Sequence, residues 1–372
     1  MAKLSLEGLK TYVANVVTAA KLSNGTFSVT RDNVVALVDK IGKIVTLDTA
    51  YQIDKLARFD GEYLSYGKTI EEYQADLIMV QDFDASGSGA LSPHVSTFRP
   101  NFYSYTLGKK VIKQTIRNND LERAVHFIEQ FNEIVSMMIK RMSDSMAAYR
   151  YQVKREMLGK FIGLCLDCYD SSVTTFVAST AYSVGTLLKS GSGDFGIVVT
   201  GIAVADAYAN WAAAVASGKL IEYNLVTELA KPVDASTGEA FIEAAKGVVE
   251  QLQDISEGNS LNGNTLGAVE GLVLIVKQGI LPNLDVNTLA GAFHENRLVL
   301  PDTIVVRDFG DANSKVYAVI MDARAMRLHN TYRATRENIN GDGDFLNLFE
   351  HTEDTAWISR NAGIHVFVEP EI

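Results

Sequence analysis

The stretch Phe98-Arg99-Pro100-Asn101-Phe102-Tyr103-Ser104-Tyr105-Thr106-Leu107 lies at the junction that decides the fold of this chain. Its last five residues alternate apolar and polar side chains, which is typical of a β-strand. A strand-like stretch at 63–78 precedes it, and the Ser- and Gly-rich residues at 82–89 are typical of a flexible tip between them. Residues 63–106 therefore predict a long β-hairpin that has little core of its own and needs another molecule to cover it.

The residues that follow predict one very long helix, because 109–158 contain neither Gly nor Pro. Apolar side chains recur every three or four positions from Leu121 to Phe161, which is the spacing of one helix face. A helix that continues to about Cys168 would be roughly 70 Å long at 1.5 Å per residue. Whether the helix is interrupted near Ser143 stays open at this point. The methionines of this stripe predict core packing.

Length and charge narrow the class of protein. The 372 residues are enough for two or three domains with cores of their own. The net charge of −11 argues against a protein that wraps a polyanion, because such proteins need clustered Lys and Arg. The first residues lack an apolar run, so no signal sequence is expected. With only two cysteines we expect no disulfide framework and synthesis in a reducing cytoplasm.

The remaining segments alternate between helical and strand patterns, and the β-rich end after an α/β middle predicts an α+β fold. The Ala-rich stretch 196–218 predicts a buried or interface helix, because Asp206 near its centre argues against a membrane span. Near the start, amphipathic helices are predicted at 4–22 and from Thr30 to Ile41. In the middle, a loop at 232–238 precedes a helix at 239–253 and a polar loop at 257–265. Towards the end, strands are predicted at 272–276, 303–307 and 315–321, with a short helix at 287–293, followed by long strands between 331 and 367 joined by a turn at 340–343.

Two glycine-containing stretches resemble ligand loops only formally. Gly191-Ser192-Gly193-Asp194-Phe195-Gly196 matches the dinucleotide-binding spacing, but the flanking residues do not supply the strand, helix and later acid that such a site needs, so we interpret it as a loop. The stretch 338–350 resembles a calcium loop, but Phe349 stands where the bidentate acid belongs, so a hairpin turn is the better interpretation.

No other pattern predicts a catalytic, cofactor or metal site. Cys165 and Cys168 have redox-motif spacing but no second pair, which predicts two small buried thiols. The six histidines are dispersed. Glu71 and Glu72 are adjacent on a predicted strand, so their side chains face opposite sides and cannot converge on one substrate atom. Salt bridges between subunits, or solvation, explain them better.

Several motifs, taken in their order along the chain, resemble those of the major capsid proteins of tailed bacteriophages, which have the HK97 fold. Within this family the similarity is to the capsid proteins of short-tailed phages of the phi-29 kind. The similarity is scattered over about three quarters of the chain, with no counterpart for 174–223. They are Leu37-Val38-Asp39-Lys40-Ile41-Gly42, Tyr66-Gly67-Lys68-Thr69-Ile70-Glu71-Glu72, the stretch Leu284 to Arg297, Arg307-Asp308-Phe309-Gly310, Lys315 to Asp322, and Thr355-Ala356-Trp357-Ile358-Ser359-Arg360-Asn361-Ala362.

The resemblance implies a domain plan and a set of contacts between subunits. The implied parts are an N-terminal arm (1–50), an extended β-hairpin loop (51–118), the spine helix of a peripheral domain (119–172), an axial α/β domain (173–328) and peripheral-domain strands (329–372). The extended loop would lie across the neighbouring subunit through Tyr66, Lys68, Glu71, Glu72, Tyr73, Arg99, Phe102, Tyr103 and Tyr105. From the sequence as given, which ends at Ile372, we expect no appended immunoglobulin-like domain of the kind that some relatives have. The Lys and Asn that the covalent cross-link of one branch of the family requires are not located in this sequence, so whether the subunits are cross-linked stays open.

The implied function is that of a structural shell protein, not an enzyme. Copies would assemble into pentamers and hexamers of an icosahedral shell around double-stranded DNA that the wall does not bind specifically. The further partners implied are portal and scaffolding proteins and a decoration protein. No membrane and no cofactor are implied. The chain would assemble in the host cytoplasm and become part of the virion. Two alternatives stay open at this point: an encapsulin-like compartment shell, and an enzyme that uses acidic residues.

Overall fold

The structure of the chain is a computed structural model, and it describes part of the sequence. The described residues are 54–75, 98–103, 105–117, 128–170, 172–206, 208–254, 256–265, 271–287, 301–340, 342–343 and 345–370. The predicted arm at 1–50, the predicted tip at 82–89 and all but the first residue of the predicted helix at 287–293 lie outside them.

Strands dominate the described residues. In chain order they are β1 (Ile70–Ala75), β2 (Phe98–Tyr103), β3 (Tyr105–Thr106), β4 (Lys110–Arg117), β5 (Thr174–Thr175), β6 (Leu187–Lys189), β7 (Phe195–Val198), β8 (Leu220–Glu222), β9 (Val226–Glu228), β10 (Ser256–Glu257), β11 (Asn264–Thr265), β12 (Leu272–Lys277), β13 (Asp302–Val306), β14 (Val316–Asp322), β15 (Met326–Asn340), β16 (Phe345–Ile358) and β17 (Ile364–Val368). The α-helices are α1 (Ile128–Asp167), α2 (Trp211–Ala216), α3 (Ala235–Gln253) and α4 (Ile280–Asn287). The predicted α+β class is confirmed.

Helix α1 confirms most of the predicted long helix. It runs without interruption through Ser143 and ends at Asp167, and its 40 residues correspond to about 60 Å at 1.5 Å per residue. The prediction is wrong at 110–117, which form strand β4. This segment is rich in β-branched side chains and pairs along its whole length with β16, and a lack of Gly and Pro is as compatible with a strand as with a helix.

Two sheets form the main body around α1. The long sheet has the strand order β15-β16-β3, with β4 also paired to β16, so the predicted long strands joined at 340–343 are confirmed. The second sheet has the order β13-β12-β14-β17-β9. Its central strands β12, β14 and β17 are almost wholly buried because side chains pack on both faces, with α1 contributing to one core and α3 to the other.

Helix α3 begins earlier than its apolar spacing predicts. Asp234 accepts a hydrogen bond from the backbone N–H of Thr237, and the Thr237 side chain returns the contact, which together form a capping box. The predicted loop at 232–238 is therefore wrong for its last four residues. The cap orients α3 so that Phe241 and Leu252 are buried against the second sheet.

The predicted helix at 196–218 is wrong. Residues 195–198 are strand β7 of a small sheet with the order β5-β6-β7-β8, and the helical residues described in this segment are a 3-10 turn at Val204–Asp206 and the six residues of α2. A Cβ at Gly196 would lie 2.5 Å from the carbonyl oxygen of Ile221, so this glycine lets β7 and β8 approach. Within the described part of the chain, every helix is too short or too polar to cross a membrane.

One buried histidine in the second sheet predicts a pH dependence. The Nδ1 of His365 donates to the carbonyl of Asn224 at 3.0 Å, so its Nε2 accepts from the Thr227 hydroxyl at 2.8 Å. Burial lowers the pKa of His365 to about 4. In the unfolded chain the imidazole takes up a proton near pH 6.5, and the folded chain resists that protonation until the pH approaches 4.

Lowering the pH from 6.5 to 4 should therefore remove about 3 kcal/mol of the free energy of unfolding, because the unfolded chain binds the proton first. Above pH 6.5 the imidazole is neutral in both the folded and the unfolded chain, so the contribution of His365 to the free energy of unfolding no longer changes with pH. A His365→Asn variant keeps a donor near Asn224 but cannot titrate in this range, so its free energy of unfolding in urea should fall less over this interval. Equal slopes for the variant and the unaltered chain would contradict the assignment.

Candidate assembly site

Strands β1 and β2 form an antiparallel ribbon that no third strand joins among the described residues. Ile70 lies opposite Tyr103 at the root of the ribbon, and Ala75 lies opposite Phe98 at its described end. Pro100, which cannot donate to a neighbouring strand, lies opposite Tyr73. The hairpin predicted from the sequence is confirmed in these residues, and both of its strands are edge strands.

The root of the ribbon is attached to the long sheet. The Lys68 ammonium pairs with the Glu353 carboxylate at 2.6 Å, and Glu353 itself is only 8% exposed. The Ser359 hydroxyl donates to the carboxylate of Glu72. On the other strand, the chain leaves β2 and enters β3, which pairs with residues 355–356 of β16. At the root, both strands of the ribbon are therefore attached to β16 and the residue that follows it.

The ribbon presents aromatic side chains to solvent. Tyr73 of β1 is 65% exposed, and Tyr66, in the segment that leads into β1, is 97% exposed. The Tyr73 hydroxyl donates to the Glu71 carboxylate at 2.6 Å, and this hydrogen bond raises the pKa of Tyr73. Glu71 and Glu72 thus bond on opposite sides of the strand, which confirms the prediction that they cannot converge.

The structure places the other predicted contact residues on the same ribbon or beside it. Arg99, Phe102 and Tyr103 are residues of β2, opposite Gln74, Glu71 and Ile70 in the strand register. Tyr105 lies outside the ribbon, in β3, where it is 55% exposed and lies under the ammonium of Lys160, 5.4 Å from the ring centre. That these residues contact a second subunit stays a prediction.

A groove beside the ribbon root was not predicted. Its volume is about 410 Å³, and it lies between α1 and the strand ends of β3 and β16. The residues on the helix side are Val153, Glu156, Met157, Lys160 and Leu164. Val153 and Met157 belong to the core stripe of α1, and Glu156, Lys160 and Leu164 lie at its edge, so the helical spacing alone did not distinguish the groove from the core.

A cluster of charges at the start of the described chain was also missed. The Lys154 side chain is fully buried on α1 and pairs with the carboxylates of Asp54 and Asp60. Arg150, one turn earlier, also reaches Asp60, at 3.1 Å. Lys154 lies in an apolar stripe and its partners are about a hundred residues away, so sequence spacing could not reveal the pairs. The cluster fixes residues 54–60, which precede the ribbon, to the helix.

The patterns that could have carried chemistry have structural roles. Cys165 and Cys168 are buried free thiols, as predicted, and burial raises the pKa of each, so neither is a ready thiolate at neutral pH. Residues 190–194 form the turn between β6 and β7, in which Asp194 accepts from the hydroxyls of Ser190 and Ser192, and the last two residues of the stretch 191–196 are the start of β7. In the described ranges, no group of His, Cys, Asp and Glu side chains could hold a metal ion.

Comparison with known proteins assigns the family. Residues 9–368 match the family model of the Phi29-like phage major capsid protein. The chain belongs to this family. The curated major capsid protein of Bacillus phage PZA is 23% identical over 358 residues, which cover 93% of this chain but only 65% of that relative. The chain thus spans a little less than two thirds of the relative's length.

Solved structures agree on the fold. The chain resembles one from the capsid structure of Staphylococcus phage Andhra with a TM-score of 0.56 and 12% identity, over 89% of this chain and 88% of the other. It resembles one from the capsid structure of cyanophage P-SCSP1u with a TM-score of 0.51 and 9% identity, over 89% and 92%. The HK97-type capsid fold of this family member is therefore confirmed, and the comparisons favour a phage capsid protein over an encapsulin-like shell.

Replacing Lys154 with Met should destabilise the capsid protein fold. The substitution keeps most of the side-chain volume but leaves the carboxylates of Asp54 and Asp60 facing each other without the ammonium. Because these carboxylates are 17% and 39% exposed, we expect a loss on the order of 2 kcal/mol in the free energy of unfolding, measured by urea denaturation.

The matched control is Lys160→Met, which removes the same charge from an exposed position of α1. It should change the free energy of unfolding by less than about 0.5 kcal/mol. If both variants unfold at the same urea concentration as the unaltered chain, the buried cluster does not stabilise the fold.

Proposed function

We propose that this chain is the wall subunit of a tailed-phage head. Copies assemble through non-covalent, shape-complementary contacts into an icosahedral shell that encloses double-stranded DNA. Membership in the Phi29-like major capsid family supports this proposal, and the name of the PZA relative, a major capsid protein, agrees with it. The association needs no catalytic step, and the chain would act as a structural component of the virion.

The observation that carries the proposal is the unsupported ribbon. A two-stranded hairpin is marginally stable in water without a third strand or a packed face. Here β1 and β2 pair with each other alone within the described region, and Tyr66 and Tyr73 are exposed beside them. Large exposed aromatic side chains are typical of protein interfaces. A second copy that covers the ribbon would bury them and supply the missing packing.

The domain plan belongs to the same proposal. Residues 51–118 act as the extended loop with its root, 119–172 as the spine helix, 173–328 as the axial domain and 329–372 as the peripheral strands. The peripheral strands and α1 form the support from which the loop reaches a neighbour, and 1–50 are the N-terminal arm of this plan. The predicted contact residues of the loop would then lie at the boundary between two subunits.

The partners and the site of assembly follow from a shell of this kind. Portal and scaffolding proteins would direct assembly in the host cytoplasm, and a decoration protein could bind the finished surface. The net charge of −11 supports a wall that encloses DNA without binding it tightly, because like charges repel.

Removing the ribbon should abolish assembly and leave the body folded. In the test variant, residues 71–102 are replaced by a short Gly- and Ser-rich linker, so that the paired root residues Ile70 and Tyr103 remain. Sedimentation and negative-stain electron microscopy should show capsomers or shells for the unaltered chain and monomers for the variant. The variant should keep the circular-dichroism spectrum of a folded chain, because the main core described in the structure is built from residues outside 71–102.

A control for surface polarity is Val233→Ser, which removes an exposed apolar side chain far from the ribbon in sequence and should assemble normally. A full chain that stays monomeric at every concentration and salt would contradict the proposed function. So would a ribbon-less variant that still forms shells.

A further inference from the structure

The hydroxyl of Ser359 lies where the ribbon meets the turn that follows β16. The residue is buried, with 2% of its surface exposed. Its hydroxyl donates to the carboxylate of Glu72 in β1, and it accepts from the backbone N–H groups of Asn361 and Ala362, each at 3.1 Å. One hydroxyl therefore joins the root of the ribbon to the turn at 359–363, which leads from the long sheet into β17 of the second sheet.

A buried loop at 258–263, which we call the inner loop, binds the same turn from its other side. The backbone N–H of Asn262 donates to the carbonyl of Arg360 at 3.0 Å. The Asn262 side chain donates to the side-chain oxygen of Asn361 at 2.6 Å. The turn is thus held at one end by the ribbon root, through a hydroxyl, and at the other end by the inner loop, through an amide.

The inner loop is in turn attached to the second sheet. The N–H of Ile364, the first residue of β17, donates to the carbonyl of Asn259 at 2.9 Å. The Tyr223 hydroxyl donates to the carbonyl of Leu261 at 2.8 Å, and the side chain of Leu261 is part of the main core. A continuous series of hydrogen bonds therefore runs from the ribbon root through the turn and the inner loop to the second sheet.

The hydrogen bonds at Ser359 strengthen one another. A hydroxyl that donates to a carboxylate is polarised, so its oxygen accepts more strongly from the two N–H groups of the turn. Because Ser359 is buried, the low local dielectric increases this effect. If Glu72 moves away, the buried hydroxyl loses its charged acceptor, and the turn is held less tightly.

The turn has little stability to spare. The buried Nδ2 of Asn361 has no hydrogen-bond partner within the described part of the chain, although its Oδ1 accepts from Asn262. An unsatisfied buried donor raises the free energy of the arrangement that contains it. The observed arrangement of the turn therefore depends on its contacts to Ser359 and Asn262, and the loss of either contact favours opening.

We propose that Ser359 couples the position of the ribbon to the conformation of the second sheet. Glu72 stabilises the turn through the Ser359 hydroxyl, and the turn stabilises the inner loop through Asn262. A partner that pulls Glu72 away from Ser359 therefore loosens the inner loop, and a change in the inner loop loosens the ribbon root, because such coupling is reciprocal. Ser359 is a positioning residue in this device. The inference goes beyond the proposed function, since the coupling is a property of the single chain.

The first experiment measures hydrogen exchange in the full-length chain at a concentration too low for association. In Glu72→Ala, the backbone amides of Asn262 and Ile364 should exchange about fivefold faster or more. The matched control, Glu71→Ala, removes the same charge from the neighbouring residue, which accepts from the Tyr73 hydroxyl instead, and should leave both amides unchanged. The amides of α3 are the internal reference, because a general loss of stability would accelerate their exchange as well.

The second experiment tests reciprocity and the role of the hydroxyl. Asn262→Ala should accelerate exchange in peptides that cover 70–75 by a similar factor. In a Ser359→Ala background, Glu72→Ala should have no further effect on the amide of Asn262.

Three results would overturn the inference: equal effects of Glu72→Ala and Glu71→Ala on the inner loop, no effect of Asn262→Ala on 70–75, or a Glu72→Ala effect that persists without the hydroxyl. If Ser359→Ala does not fold, the first two comparisons decide. All of these measurements concern single chains, so their failure leaves the proposed function standing, and a failure to assemble leaves this coupling standing.

Discussion

Pairing along β16 is the interaction on which the rest of the structure depends. This strand of 14 residues pairs with β15 on one side and with β3 and β4 on the other, although β3 and β4 precede it by more than two hundred residues. Glu353 and Ser359 of the same segment also bind the root of the ribbon. The root of the ribbon is therefore positioned by strand pairing of β3 with β16 and by side-chain contacts of Lys68 and Glu72 with Glu353 and Ser359.

Helix α1 makes that arrangement rigid. One stripe of the helix packs into the main core through residues such as Leu158 and Phe161, which are fully buried. Beside this stripe, Lys154 binds the carboxylates of Asp54 and Asp60, which lie just before the ribbon. A buried ammonium is costly unless it is paired, so the pairs allow few alternative positions for residues 54–60. Apolar packing holds the helix in place, and the ion pairs select where the chain enters the ribbon.

The sequence indicated those parts of the structure that local patterns control. Alternation and spacing predicted the ribbon, the long helix and the β15–β16 hairpin, whose turn is closed by the Asn340 side chain accepting from two backbone N–H groups. The failures at 110–117 and at 196–198 have related causes. Residues 110–117 become a strand by pairing with a segment distant in sequence, and 196–198 become part of β7, in which a glycine lets the neighbouring strand approach. The sequence could not reveal the Lys154 cluster either, because its partners Asp54 and Asp60 are also distant from it in sequence.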